Sequence, residues 1–413
     1  MFKKFFWPLL AFYSANIFAQ TEMTCPSFED SQSVVKYIVE NHPQVQYLGK
    51  VGDARNNAID EAGQRPNPEL DFQYDIGDSF GEKVHNTESS LKHTFELGGK
   101  RSARIKVATS QKELFQGSLR EVQEKLKIRT ILNLYELKQN KHLLEVYAEA
   151  IGTFKKIIRV HKRRKNLSPE DTVSLTTFEL AANEYDLKKN ELVTRIQELN
   201  AYFIVALGGS CELSTLKFPS EKKHWPELEV SFMESEKYSK LQKAHAALKL
   251  GDATYEKERS LSYPNLQVGP FLGSTVQGND RNAAVGVAIT IDLPILNLNS
   301  GGRARALSQK IAAEKNYQNT KMKVQVEKNQ WRTIYSNAVK KIKDSLSFKY
   351  VESKHQNVEK LFKRGIISTP LVIESHRQLI DFTDSLQKQQ LTALEALWNI
   401  YAIEGTIMDK TIQ

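Results

Sequence analysis

Long apolar runs are missing from this chain beyond its first twenty residues, and no later stretch approaches the ~18 to 20 apolar residues a membrane-spanning helix requires. The mature chain is therefore expected to have no transmembrane helix. Cysteine is nearly absent: the 413 residues hold two, Cys25 and Cys211, too few for a disulfide-rich framework. The chemistry-bearing motifs H-E-x-x-H and G-x-S-x-G are absent, as is any paired Cys/His ligand spacing, and the nine histidines are scattered. His161 and His376 lie a few residues from expected helix turns and read as surface groups, so no metal site, cofactor or catalytic activity is assigned. "FELGGKRSAR", residues 95–104, suggests a phosphate-binding loop but lacks two of its fixed positions. Thr94 stands where the first glycine belongs, and Arg101 where Ser or Thr must follow the lysine.

What is present begins with "MFKKFFWPLLAFYSANIFAQ", in which Lys3 and Lys4 precede an apolar stretch and a small residue, Ala19. This reads as a secretory signal, residues 1–19, cleaved after Ala19. At 40% hydrophobic and 26% charged, the remainder has the composition of an ordered chain. Its excess positive charge is concentrated in "KKIIRVHKRRK", residues 155–165. An exported chain meets little nucleic acid, so this run reads as a solvated helix face and no nucleic-acid partner is expected.

The chain is also written twice. "HPQVQYLGKVGDARNNAIDEAGQRPNPELDF" from His42 aligns without gaps with "YSKLQKAHAALKLGDATYEKERSLSYPNLQV" from Tyr238, pairing Pro68 with Pro264 and Leu70 with Leu266. Gly98-Gly99-Lys100 answers Gly301-Gly302-Arg303, and "RRKNLS" at 163–168 answers "KRGIIS" at 363–368. Each half reads helix, strand, strand, long helix, turn, long helix. The first repeat is placed at 20–207, an equatorial linker at 208–229 and the second repeat at 230–413. Gly98, Gly99, Gly301 and Gly302 then mark strand–helix joints, where backbone freedom is needed as a period of two becomes 3.6.

Strands are expected at about 68–78, 88–97, 264–275 and 283–293. Leu70, Phe72, Tyr74 and Ile76 alternate with Glu69, Asp71, Gln73 and Asp75, and Val285, Val287, Ile289, Ile291 and Leu293 alternate with Gly286, Ala288, Thr290 and Asp292. An oily and a wet side at this length suit a tilted membrane strand; the alternative is a sheet packed on a soluble core. The polar segments "GDSFGEKVHNT" and "GSTVQGNDRN" read as loops. Four strands cannot close a barrel, so an oligomer must supply the rest. Long hairpins are expected at 99–207 and 301–405. Leu143, Tyr147, Ala150, Phe154 and Ile157 form a coiled-coil seam, answered by Phe178, Ala182, Tyr185, Leu192, Ile196, Leu199 and Phe203. Trp331, Tyr335, Ala338 and Ile342, with Phe382, Leu386, Leu394, Leu397 and Tyr401, repeat it in the second half.

Over essentially the whole mature chain these features resemble the TolC-type outer-membrane efflux channel family, through the duplicated layout, "RPNPELDF", "SYPNLQVG", "FELGGKRSAR" and "RGIISTPLVIES". "FELGGKR" and "LPILNLNSGG" look most like its heavy-metal-cation branch, although Leu298 and Ser300 replace that branch's Arg and Gln. The resemblance implies a mostly α fold with a small β part: a homotrimeric outer-membrane β-barrel with four strands per chain, continued by a long periplasmic α-helical coiled-coil barrel. It implies the exit duct of a tripartite efflux system, passing metal cations or small toxic compounds, with outer-membrane lipid around it and a periplasmic adaptor and inner-membrane pump as partners. Asn166, Leu167, Ser168, Gly365, Ile366 and Ser368 would form the adaptor-docking tips. Glu374 occupies one of the family's acidic gate positions and Leu371 the other. A type I protein-secretion conduit is the alternative within the channel class. A periplasmic coiled-coil adaptor is the alternative outside it, but no Gly-rich lipoyl-like module is visible. Cys25 and Cys211 would both lie at the periplasmic equator, where a disulfide is expected and two free buried thiols are the alternative.

Overall fold

The computed structural model describes residues 27–79, 81–209, 213–222, 224–228 and 236–412. The signal segment, Cys25 and Cys211 lie outside the described residues. In chain order the elements are α1 (Ser31–Asn41), α2 (Pro43–Gly63), β1 (Glu69–Ser79), β2 (Glu82–Glu96), α3 (Lys100–Lys162), α4 (Pro169–Ala206), α5 (Ser239–Ser260), β3 (Asn265–Gln277), β4 (Asp280–Ile291), α6 (Ser300–Asp344), α7 (Phe348–Lys363) and α8 (Thr369–Ile403). A short 3-10 turn, Leu213–Thr215, follows α4. Mostly helix with one small sheet, this is the fold class expected.

The proline-free run after Gly99 forms α3, whose 63 residues extend ~95 Å at 1.5 Å per residue. A helix of this length needs partners along it, and two separate cores supply them. Near the hairpin tips, Leu143, Tyr147, Ala150 and Phe154 of α3 pack with Phe178, Ala182 and Tyr185 of α4 and with Val372, Leu379 and Ile380 of α8. The second core lies towards the other ends of α4 and α8, where α1 and the middle of α3 meet Leu199, Phe203, Trp225, Tyr335, Leu394 and Leu397. The seams of the first hairpin are thus the packed faces. On α8, Leu394 and Leu397 of the expected seam are buried, but between residues 379 and 386 the buried positions are Leu379, Ile380 and Thr383, while Phe382 and Leu386 are only half-buried.

The outgoing helix of the second half is not continuous, as its seam suggests, but breaks into α6 and α7 at residues 345–347. Serines cause the break. Ser345 Oγ donates to the Ile342 carbonyl at 2.8 Å and Ser347 Oγ accepts from the Tyr350 amide at 3.3 Å, local bonds that compete with the helical ladder.

The four strands form one antiparallel sheet in the order β1-β2-β3-β4, so β1 and β4 are its edges. Both polar segments expected as loops are instead strand. β1 and β2 pair up to Ser79↔Glu82, and β3 and β4 up to Gln277↔Asp280. Gly81 and Gly278, at φ 84° and 56°, make the tight turns. Polar residues can continue a strand because the backbone ladder, not side-chain burial, holds the pairing at that end. No sheet residue belongs to either hydrophobic core.

Phe154 and Phe178 are fully buried, with ring centroids 5.6 Å apart. Phe178→Ala is expected to destabilise the hairpin by about 3–5 kcal/mol, read as a lower denaturation midpoint of the helical circular-dichroism signal.

Candidate functional site

Directly opposed residues in an antiparallel sheet share a face, so the register assigns the two surfaces. Rows such as Phe72–Ser89–Leu272–Val285 and Phe95–Leu266–Ile291 carry the apolar face. That face is uncovered: Phe72 is 69% exposed and Val285 81%. A sheet packed on a soluble core would hide these residues. The other face is hydrophilic, with Lys92 ion-paired to Asp71 and reaching Thr290 Oγ1 at 3.4 Å, and Gln267 donating to Glu69 at 3.0 Å. Phe271 is the large apolar residue on this face, which also carries Val84, and its ring lies over Gly273 and against Gly286.

The two strand–helix joints are built differently. Gly98 and Gly99 both have positive φ, 70° and 72°, and a Cβ at Gly98 would lie 2.4 Å from the Tyr263 ring. In the second half the left-handed residue is Asn299 (φ 52°), while Gly301 and Gly302 lie in the first turn of α6. The expectation that this glycine pair supplies the joint's freedom is therefore corrected, because asparagine tolerates the left-handed region. Gly302 is small for another reason. Asn299 Nδ2 donates to Glu258 O and Oε2 at 2.9 and 2.7 Å, and a Cβ at Gly302 would enter this network, 2.2 Å from Asn299 Oδ1. A Cβ at Gly301 would meet nothing within 4 Å.

At the tips, Ser168 caps α4, accepting the Asp171 amide at 3.0 Å, with Asn166 exposed and Leu167 half-buried in the turn before it. Gly365 (φ 72°) closes α7: its amide donates to the Phe362 carbonyl at 2.8 Å and the Ile366 amide to the Leu361 carbonyl at 3.0 Å. This paired arrangement satisfies the last carbonyls of the helix. Ser368 precedes α8, and Ile366 and Leu371 are exposed. The two tips converge on one cleft of 1480 Å³, lined among others by Glu149, Thr153, Asp171, Glu359, Gly365 and Ser368.

Glu374 does not stand as a free charge. Arg377, three residues on, grips both of its oxygens at 2.6 and 2.9 Å and also reaches Asp381 at 3.0 Å, while Gln378 donates to Glu374 at 2.8 Å. The hydrogen bond from Arg377 holds the Glu374 carboxyl below its usual range. Sequence reasoning passed over Arg377, although the i, i+3 spacing on one helix face announced it. It also misjudged His376, which is buried at 2% exposure beside Phe154 and His355 rather than on the surface. The spacing of His355 and Glu359, i and i+4 on α7, was legible; their meeting with α8 was not.

No protein-family model matches the chain. It is 24% identical over 272 residues to the cobalt-zinc-cadmium resistance protein CzcC of Cupriavidus metallidurans, an alignment covering 64% of this chain and 63% of that protein. The matched stretch thus spans less than two thirds of that relative's length. Among solved structures, CusC, described in terms of folding and transmembrane channel formation, superposes with a TM-score of 0.72 at 11% identity, covering 92% of this chain and 93% of its own. The CmeC outer-membrane channel of Campylobacter jejuni gives 0.70 at 13% identity, covering 92% and 86%.

The contrast between the joints is testable by single substitutions. Gly301→Ala should be neutral or stabilise by up to about 1 kcal/mol, since it removes a helical glycine where space is open. Gly98→Ala and Gly302→Ala should each lower the melting temperature of the assembled protein. Equal melting temperatures for all three variants would contradict these joint geometries.

Proposed function

We propose that this chain, which has the fold of the outer-membrane efflux channels, is itself an outer-membrane channel. It would act as a homotrimer and as the passive exit duct of a tripartite efflux system. The observation that carries the reading is the uncovered apolar face of a sheet with two open edges. Hydrocarbon tolerates apolar side chains but no unpaired backbone edge, so copies must join edge to edge until the sheet closes. Three copies would make twelve strands, with the Lys92–Asp71 face towards water inside. A second apolar seam supports lateral association: Val173, Leu180 and Leu187, at heptad spacing on α4, are 66%, 66% and 67% exposed. A periplasmic adaptor would have no use for the oily sheet.

In this reading the tips at residues 166–168 and 365–368 would meet the periplasmic adaptor, and through it the inner-membrane pump. Similarity to a cobalt-zinc-cadmium resistance protein supports metal cations as cargo. The purified chain should fractionate with outer membranes, run as a trimer in detergent and conduct ions in planar bilayers. Recovery as a detergent-free monomer would end the proposal.

Leu371 and Glu374 would sit at the periplasmic constriction, the leucine available to pack the closed tip. Because Arg377 bridges Glu374 and Asp381, the charge presented there is the balance of three groups. Arg377→Gln should raise cation-over-anion permeability and Glu374→Gln should lower it, while Glu374→Lys should reverse it. Unchanged reversal potentials under a salt gradient in all three variants would place this cluster away from the conducting path.

A further inference from the structure

Beneath the tip cleft, α7 and α8 bring together two imidazoles and a carboxylate that hold no place in the channel reading. The ligand atoms of His355, Glu359 and His376 all lie within 4.8 Å of one another. His355 and Glu359 project from one face of α7, one turn apart, and His376 faces them from α8. The rings of His355 and His376 meet edge-on, 4.3 Å apart.

The hydrogen bonding of His376 is incomplete in an informative way. Its Nδ1 lies 2.9 Å from the Val372 carbonyl, which can only accept, so Nδ1 must carry the proton. In a neutral ring Nε2 then presents a lone pair. It has no hydrogen-bond partner among the described residues, and the nearest charged group, Glu359 Oε1 at 3.5 Å, is another acceptor. Reversing the tautomer moves the same mismatch to the Val372 carbonyl. A second proton would resolve it only by charging a ring that is 2% exposed, which burial opposes. A bound cation resolves it without charging either ring.

We propose that His355, Glu359 and His376 form a binding site for a divalent first-row transition cation of the zinc or cobalt type. Two imidazole nitrogens and one carboxylate oxygen suit such ions, and three protein ligands leave a position for water. Bonds of about 2.0–2.1 Å in a tetrahedral arrangement place ligand atoms roughly 3.4 Å apart; the Glu359–His376 pair already stands at 3.5 Å. The outer contacts are those that orient metal ligands. The Val372 carbonyl fixes His376, Ser375 Oγ lies 3.4 Å from His355 Nδ1, and Thr153 Oγ1 of α3 donates to Glu359 at 3.2 Å. Glu359 lines the open cleft together with Glu149, which gives an ion a route in. Occupancy would staple α7 to α8 beside the helix break at 345–347. Any effect on tip opening rests on the channel reading; the site itself does not.

The test uses full-length protein without a histidine tag, purified in detergent and stripped with chelator, then titrated with Co²⁺ alone. One equivalent per chain should bind, with visible d–d absorption of a low-coordinate nitrogen–oxygen site. His355→Gln and Glu359→Gln should each weaken binding at least about tenfold while the helical circular dichroism is unchanged. His376→Gln should abolish binding, and if that buried variant does not fold, the other two decide. No absorption at one equivalent, or titrations unaltered in both His355→Gln and Glu359→Gln, would overturn the site. Protein that binds cobalt but does not conduct would keep the site and lose the channel.

Discussion

Unpaired backbone at the sheet edges is the constraint on which the architecture turns. β1 and β4 each expose a row of amide and carbonyl groups along 11 and 12 residues, and their apolar face offers no water to satisfy them. In hydrocarbon each unsatisfied group costs several kcal/mol, far more than side-chain packing could restore. In a membrane the edges would therefore have to find one another, and four strands are too few for a single chain to bring β1 round to β4. In the channel reading proposed above, oligomerisation is thus part of the secondary structure: the sheet would be finished only when copies complete its ladder.

The same requirement disciplines the helices. Each strand pair must hand its direction to a helix at a fixed point if, as proposed, a helical wall is to continue a barrel. The two halves meet it with different residues. One uses consecutive left-handed glycines, with the Tyr263 ring pressed against Gly98. The other uses Asn299, whose amide is clamped by Glu258 of α5 and shielded by the smallness of Gly302. Both joints pass through the left-handed region, and each reaches it with different residues. Below the joints, the helices are held by two cores rather than one, separated along α3.

How much of this was legible follows from the length scale of each feature. Period-two alternation in "ELDFQYDI" and the seam from Leu143 to Phe154 are local, and both appeared as the oily sheet face and the buried helix face. The strand ends were missed because a ladder can run through "GDSFGEKVHNT" on backbone bonds alone, leaving no hydrophobic trace. Asn299 was passed over because a glycine pair nearby offered a simpler source of backbone freedom. The break at residues 345–347 turns on two serines that bond locally, a signal weak against the heptads on either side. His376 was misread because one helix shows only its own spacing; burial against Phe154, His355 and Glu359 comes from three helices meeting.

That meeting separates the tip from the rest of the molecule. Two buried charged groups elsewhere are satisfied by protein: Lys127 Nζ donates to the carbonyls of Ile407, Met408 and Lys410, and Glu124 accepts from Ser239. Such groups fasten the chain permanently, since breaking any one leaves a charge buried. At the tip, Arg377 balances Glu374 and Asp381 in solvent, where water screens each pair, and His376 keeps an unsatisfied nitrogen beneath an open cleft. That unmet buried nitrogen, set beside a hydrophobic core and open to the cleft through Glu359, is what the proposed cation would complete. In the core around Trp225 and Tyr335, by contrast, the three donors of Lys127 already meet three carbonyls of the same chain, which leaves a ligand nothing to complete at that nitrogen.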